Sequence, residues 1–70
     1  MDITIYGLPT CGVCKMIIKK LEEKNIPFNY IDNMEEVTNL AKKLNKTSVP
    51  IIELDGEFID IQDFNRRVLA

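Results

Sequence analysis

The sequence has no histidine and no tryptophan, and its 70 residues include only two cysteines, three glycines and three prolines. Each shortage excludes something. A structural zinc site wants four Cys or His ligands, and one copy of this chain supplies two. Two cysteines are also too few for the disulfide framework of a small secreted domain. No stretch approaches the roughly 20 consecutive apolar residues that span a bilayer, and nothing ahead of Ile3 reads as a signal peptide. A basic excess is missing too. Nine Lys and Arg against eleven Asp and Glu leave a net charge of −2, without the basic face a general nucleic-acid binder needs to displace counterions. Neither nucleic acid nor membrane is therefore an expected partner. The expected setting is the reducing cytoplasm, where two close cysteines read as catalytic or metal-binding.

What remains is an ordinary globular composition, 46% apolar and 29% charged. It predicts one domain over residues 1–70, with a thin core, because a chain this short buries only about 60% of its unfolded surface. Ile3-Thr4-Ile5-Tyr6 alternates in β-favouring residues and stops at Gly7, so a short strand is expected. From about Cys11 to Lys24 the pattern turns helical, with Cys14, Ile17, Ile18 and Leu21 on one face. Asn25 is placed to cap its end, and Pro27 prevents resumption. Phe28–Ile31 reads as a second strand. Asp32 or Asn33 can cap a second helix with Glu35 and Glu36 in its first turn and Lys42 and Lys43 in its last, charges that suit the dipole at both ends. Its apolar stripe is Met34, Val37, Leu40, Ala41 and Leu44.

Pro50–Leu54 and Glu57–Ile59 flank Asp55-Gly56, a strong two-residue hairpin signal. Asp60 then precedes Ile61, Phe64 and Val68, a final short helix. The predicted order is β-α-β-α-β-β-α. The first two strands, joined by a helix, should be parallel, and the last two antiparallel, giving a mixed sheet of four strands with three helices in the α/β class.

Cys11-Gly12-Val13-Cys14 falls between the first strand and the first helix. Cys11 is thereby expected at the helix N-terminus, where free N–H groups and the dipole favour a thiolate. The thiolate is the attacking species, and C-x-x-C cysteines at such positions have pKa values lowered to between about 3.5 and 7.5. Cys14, one turn on, points to the apolar face and is expected to be less exposed and less acidic. This predicts a division of labour: Cys11 attacks a disulfide, and Cys14 resolves the mixed disulfide. No general base is needed if Cys11 is already ionised. As a structural staple the pair would be poor, since closing so short a loop contributes only about 2 kcal/mol. As plain core residues the pair fits badly, because Cys11 at a helix start is ill placed for burial. An alternative stays open: soft thiolates select Cu(I), which accepts two sulfur ligands, and small copper carriers place a C-x-x-C after their first strand. Their element order, however, is β-α-β-β-α-β.

With the cysteines and the element order in place, nearly the whole chain resembles a glutaredoxin or one of the small redoxins that serve ribonucleotide reductase. The resemblance implies a minimal thioredoxin fold and a thiol–disulfide oxidoreductase with no tightly bound cofactor, acting as a monomer. Its second anchor is Thr47-Ser48-Val49-Pro50, which matches the family's Thr-Val-Pro segment. There the Val–Pro bond is cis, and the backbone of Val49 would pair with an extended substrate, whether glutathione or a peptide. Thr10 would stand at the rim of the same groove. Gly12 and Val13 occupy the family's Pro-Tyr positions, and Lys15 is the cation nearest the cysteines. The third anchor lies after the last strand, where the family has Gly-Gly, a polar residue and Asp for the γ-glutamyl end of glutathione. Here Gln62 and Asp63 match the latter two, while Ile59 and Asp60 replace the glycines. Asp60 and Asp63 read equally well as a helix cap and a first-turn charge. The resemblance thus implies a disulfide-bearing protein substrate, with ribonucleotide reductase as one candidate. It leaves two electron donors open: glutathione, or a flavoprotein resembling thioredoxin reductase. A glutathione-ligated iron–sulfur cluster bridging two chains is a further family trait.

Overall fold

The alternation in Ile3–Tyr6 forms β1, sending Ile3 and Ile5 into the core and leaving Thr4 and Tyr6 half-buried on the opposite face. The computed structural model describes residues 1–69. After β1 come α1 (Gly12–Glu23), β2 (Asn29–Ile31), α2 (Met34–Lys43), β3 (Ile51–Leu54), β4 (Glu57–Ile59) and α3 (Ile61–Phe64). The sheet order is β2-β1-β3-β4. β1 runs parallel to β2 and antiparallel to β3, and β3 is antiparallel to β4. This is the expected mixed four-stranded sheet with three helices. No helix among the described residues is long and apolar enough to cross a membrane.

Register decides where the core sits. Ile3 faces Leu54, Ile5 faces Ile52, and Ile52 faces Ile59, so one face of three strands is continuously aliphatic. Ile17 and Leu21 of α1 and Phe64 of α3 close over it, all at most 2% exposed. Each such burial stabilises by roughly 1.5–3 kcal/mol. The other face is more polar, and there the Tyr6 hydroxyl donates to Glu53 Oε1 at 3.2 Å. The α2 stripe is correspondingly shallow. Val37 is its one buried residue, Leu40, Ala41 and Leu44 are half-buried, and Met34 is 68% exposed. Periodicity marks which side of a helix is apolar, not how much of that side the sheet covers.

Both long helices end in the same way. Asn25 and Asn45 have φ of +56°. Their N–H groups reach Glu22 and Lys42, while Ile26 and Lys46 reach back to Leu21 and Ala41. These are Schellman closures with Asn in the left-handed position that usually takes Gly. Asn25 therefore stands one residue beyond the cap, which is Lys24. At the hairpin Asp55 and Gly56 take φ of +49° and +83°, the left-handed pair that a tight hairpin turn requires and Gly makes inexpensive.

The strands are shorter than the sequence suggests. β2 omits Phe28, and β3 omits Pro50, which has no N–H to give a ladder. The last helix differs more. One α turn, Ile61–Phe64, widens into π-type winding over Asn65–Leu69, and both Val68 and Leu69 pack against the core there.

Candidate functional site around the cysteine pair

The site begins where β1 ends. The Gly7 N–H donates to the Ile31 carbonyl at 3.0 Å, carrying the parallel ladder one residue past Tyr6. The chain then turns sharply, and the Cys11 N–H closes the turn on the Leu8 carbonyl at 3.0 Å. Cys11 is the N-cap of α1, with extended backbone angles (φ −82°, ψ 111°), and its Sγ accepts from the Cys14 N–H at 3.2 Å. A thiol sulfur thus fills the role that Ser, Thr or Asp usually plays. Cys11 is half-buried, while Cys14, one turn into the helix, has no exposed surface. Both cysteines are free thiols.

Burial pushes the Cys14 thiol up to about 11. Its hydrogen bond with Cys11 adds to the effect, and a backbone hydrogen bond at Leu8 opposes it. Tyr30, which borders the same spot, is also raised, by burial first and then by the charges of Cys14, Asp32 and Cys11. Because the Cys14 value in the fold lies above its ordinary 9.0, the folded state holds this proton more tightly. Its contribution is complete below pH 9 and is lost as pH rises through about 11. The reduced protein is expected to lose about 2 kcal/mol more stability between those limits than Cys14→Ala does. Urea unfolding at both pH values measures the difference, and equal losses would contradict the burial argument.

Around Cys11 the structure gathers Thr10, Gly12, Val13 and Lys15, all exposed. Val13, at 42%, and Met16, one turn on at 50%, give the rim an apolar side. A Cβ on Gly12 would meet nothing within 4 Å, so the position is open rather than tailored to glycine.

The Val49–Pro50 peptide bond is cis, and both residues are half-buried. Val49 divides two grooves. One, of about 300 Å³, runs between the turn after β1 and α2, with Leu8, Val37 and Ala41 as apolar lining and Lys42 and Lys46 as its cations. Leu8 links this groove to the site, since its carbonyl holds the Cys11 N–H. The other, of about 340 Å³, lies between Val49–Pro50 and the end of β4 and includes Asp60.

Gln62 and Asp63 line neither of these two grooves. Gln62 borders a separate hollow with Lys20, Asn65 and Arg66. Asp63 pairs with the exposed Arg66 guanidinium, and its N–H is taken by Asp60 Oδ1 at 2.8 Å. Asp60 is the N-cap of α3. Successive residues of a helix point about 100° apart, so Gln62 and Asp63 diverge, and the α3 N-terminus is already occupied by the chain's own carboxylate.

Two residues escaped the sequence reading. Leu8, to which the sequence assigned no role, supplies both the carbonyl that closes the turn and part of the groove. Gly7, read only as a strand stop, abuts Cys14: a Cβ there would lie 2.6 Å from Cys14 Sγ. No pattern in a single sequence distinguishes such a contact glycine from a turn glycine.

Comparison with known proteins agrees with this picture. The glutaredoxin family profile matches residues 3–59. An uncharacterised glutaredoxin-like 8.6 kDa protein from the rubredoxin operon of Clostridium pasteurianum is 38% identical over 60 residues, covering 81% of this chain and 80% of that one. Glutaredoxin 1 of Francisella tularensis, solved in complex with cacodylate, superposes with a TM-score of 0.73 at 23% identity, over 97% of this chain and 95% of that one. A thioredoxin-like protein gives a TM-score of 0.70 at 21% identity, over 91% of this chain and 96% of the other. These two likenesses concern the fold, which is a minimal thioredoxin fold. The element order observed, ending in a helix, lends nothing to the copper alternative. A nearby pair of free cysteines in this fold supports redox activity in general, and the chain belongs to the glutaredoxin family.

Proposed function

We propose that the protein is a dithiol thiol–disulfide oxidoreductase, with Cys11 as nucleophile and Cys14 as resolving thiol. The observation that carries this reading is the pair's asymmetry. Cys11, a half-buried residue, caps α1 with its sulfur accepting an N–H bond, while Cys14 is wholly buried one turn behind it. Of the two sulfurs, that of Cys11 is therefore the one placed to attack an external disulfide. Cys11 Sγ bonds to one sulfur of a substrate disulfide and expels the other as a thiolate. Cys14 then bonds to Cys11, the substrate's remaining thiol leaves with the proton from Cys14, and the protein is oxidised by two electrons.

The substrate is a protein disulfide presented in extended form. Val49, between its two grooves, offers backbone for strand pairing, and Thr10, Gly12, Val13 and Lys15 form the near rim. Electrons come from a flavoprotein reductase resembling thioredoxin reductase rather than from glutathione. Three features favour that donor. Asp60 and Asp63 are both engaged within their own chain, a carboxylate stands beside Val49–Pro50 where close approach would suit an anionic tripeptide, and Gln62 lies in another hollow. On this reading the protein works as a cytoplasmic monomer, and ribonucleotide reductase is one candidate among its substrates.

The test follows NADPH oxidation during reduction of insulin disulfides, with glutathione plus glutathione reductase in one arm and thioredoxin reductase in the other. Turnover is expected with thioredoxin reductase. Turnover with glutathione alone would overturn the donor assignment, and silence in both arms would overturn the oxidoreductase reading itself.

A further inference from the structure

Gly7 is held from both sides. Its N–H is tied to the Ile31 carbonyl at 3.0 Å, so its backbone is fixed as part of the β1–β2 ladder. On the other side lies Cys14, with Sγ 2.6 Å and Cβ 3.0 Å from the place a Gly7 Cβ would occupy. The Tyr30 ring closes a third side, with Cε1 3.4 Å from that place. Cys14 in turn is fixed by α1, where its N–H donates to Cys11 Sγ at 3.2 Å, and it is fully buried. The sulfur therefore sits in a slot whose floor is bare backbone. Carbon and sulfur in contact need well over 3 Å, so any side chain at residue 7 forces Sγ to withdraw by roughly 1 Å.

We propose that Gly7 is a positioning residue for the resolving thiol: the missing side chain sets where Cys14 Sγ stands relative to Cys11 Sγ. This inference rests on the oxidoreductase reading above. In the resolving step the Cys14 sulfur forms a bond to Cys11 Sγ as the bond from Cys11 to the substrate sulfur breaks. The leaving thiolate takes up the Cys14 proton, and the two electrons gained by the substrate come from the two cysteines. That displacement needs the attacking sulfur near contact distance and in line, and a misplacement of about 1 Å at a reacting atom can cost on the order of 100-fold. The first attack, by Cys11 on an external disulfide, forms no bond to Cys14 Sγ.

The chromogenic disulfide 5,5′-dithiobis(2-nitrobenzoate) separates the two steps. The wild-type dithiol should release two equivalents of thionitrobenzoate, the first on attack by Cys11 and the second on resolution by Cys14. In Gly7→Ala the rate of the second release, divided by that of the first, should fall about ten- to a hundred-fold. An unchanged ratio would overturn the proposal. A wild-type protein that releases a single equivalent would refute the dithiol reading instead, so the two failures are distinguishable. If Gly7→Ala does not fold, Gly7→Ala/Cys14→Ala should, because removing Sγ takes away the shortest contact. A double variant as unstable as the single one would show that the Sγ contact is not what Gly7 accommodates, and the proposal would fall.

Discussion

Cys11→Ser is expected to lower disulfide reduction by about three orders of magnitude or more, with the fold intact. A serine hydroxyl is not ionised near neutrality and does not attack disulfides, so the loss is that of the nucleophile itself. Cys14 cannot take over. It has no exposed surface, and burial, the largest cause of its raised pKa, remains when the Cys11 sulfur is gone. The converse variant should fail differently. Cys14→Ser keeps the accessible sulfur and its cap, so it should still attack a substrate and then stall as the mixed disulfide. Mass spectrometry of the intact protein after exposure to a disulfide peptide measures this directly: one peptide adduct on Cys14→Ser, none on Cys11→Ser, and an intramolecular disulfide in the wild type. An adduct on Cys11→Ser, or more than a tenth of wild-type turnover from it, would reverse the assignment of roles.

The two variants also show what the sequence could and could not reveal about the site. The spacing Cys11-x-x-Cys14 between an alternating strand and an amphipathic helix is enough to place one sulfur at a helix start and the other on its buried face, because helical geometry alone fixes that difference. The hairpin at Asp55-Gly56 and a cap of α2 at Asp32 or Asn33, of which Asn33 Oδ1 accepts from the Glu36 N–H, were legible for the same reason: each is a local rule acting over two to four residues. What was not legible depends on distant contacts. That Gly7 backs onto Cys14 follows from how β1 and α1 pack, and no propensity records it. The family motif sets Gln62 and Asp63 side by side along the chain but does not show that Arg66, three residues on, pairs with Asp63. Met34 fits a helical stripe by period and is nevertheless 68% exposed, since the sheet under α2 offers it no cover. The π-type winding at Asn65–Leu69 has no sequence signal that separates it from a continued α-helix.

A second large effect concerns the fold that holds the site. Phe64 is the largest of the fully buried side chains and belongs to the cluster with Ile3, Ile5, Ile17 and Ile52. It is also the last residue of α3, a single turn of four residues, far below the length at which a helix is stable alone. Its ring is thus what fastens the C-terminal segment to the sheet. Phe64→Ala is expected to cost about 3–5 kcal/mol through lost burial and the cavity left behind. At roughly 0.05–0.15 kcal/mol per residue, a chain this short holds about 3.5–10 kcal/mol in all, so the variant should lose between about a third and the whole of its stability at 25 °C. Phe64→Leu, which keeps most of the volume, should cost no more than about 1.5 kcal/mol. Phe58, 37% exposed on the other face of the sheet, is the control, and its replacement by Ala should cost about 1 kcal/mol. Urea unfolding followed by circular dichroism ranks the three. A Phe64→Ala midpoint no lower than that of Phe58→Ala would mean that the C-terminal segment is held by Val68 and Leu69 rather than by this ring. Because the core joins β1 and α1 through Ile5 and Ile17, the two elements that carry Gly7, Cys11 and Cys14, an unfolded Phe64→Ala should also expose the second thiol. Two rapidly alkylated cysteines at pH 7.5, against one in the wild type, would register the collapse of the slot as well as of the fold.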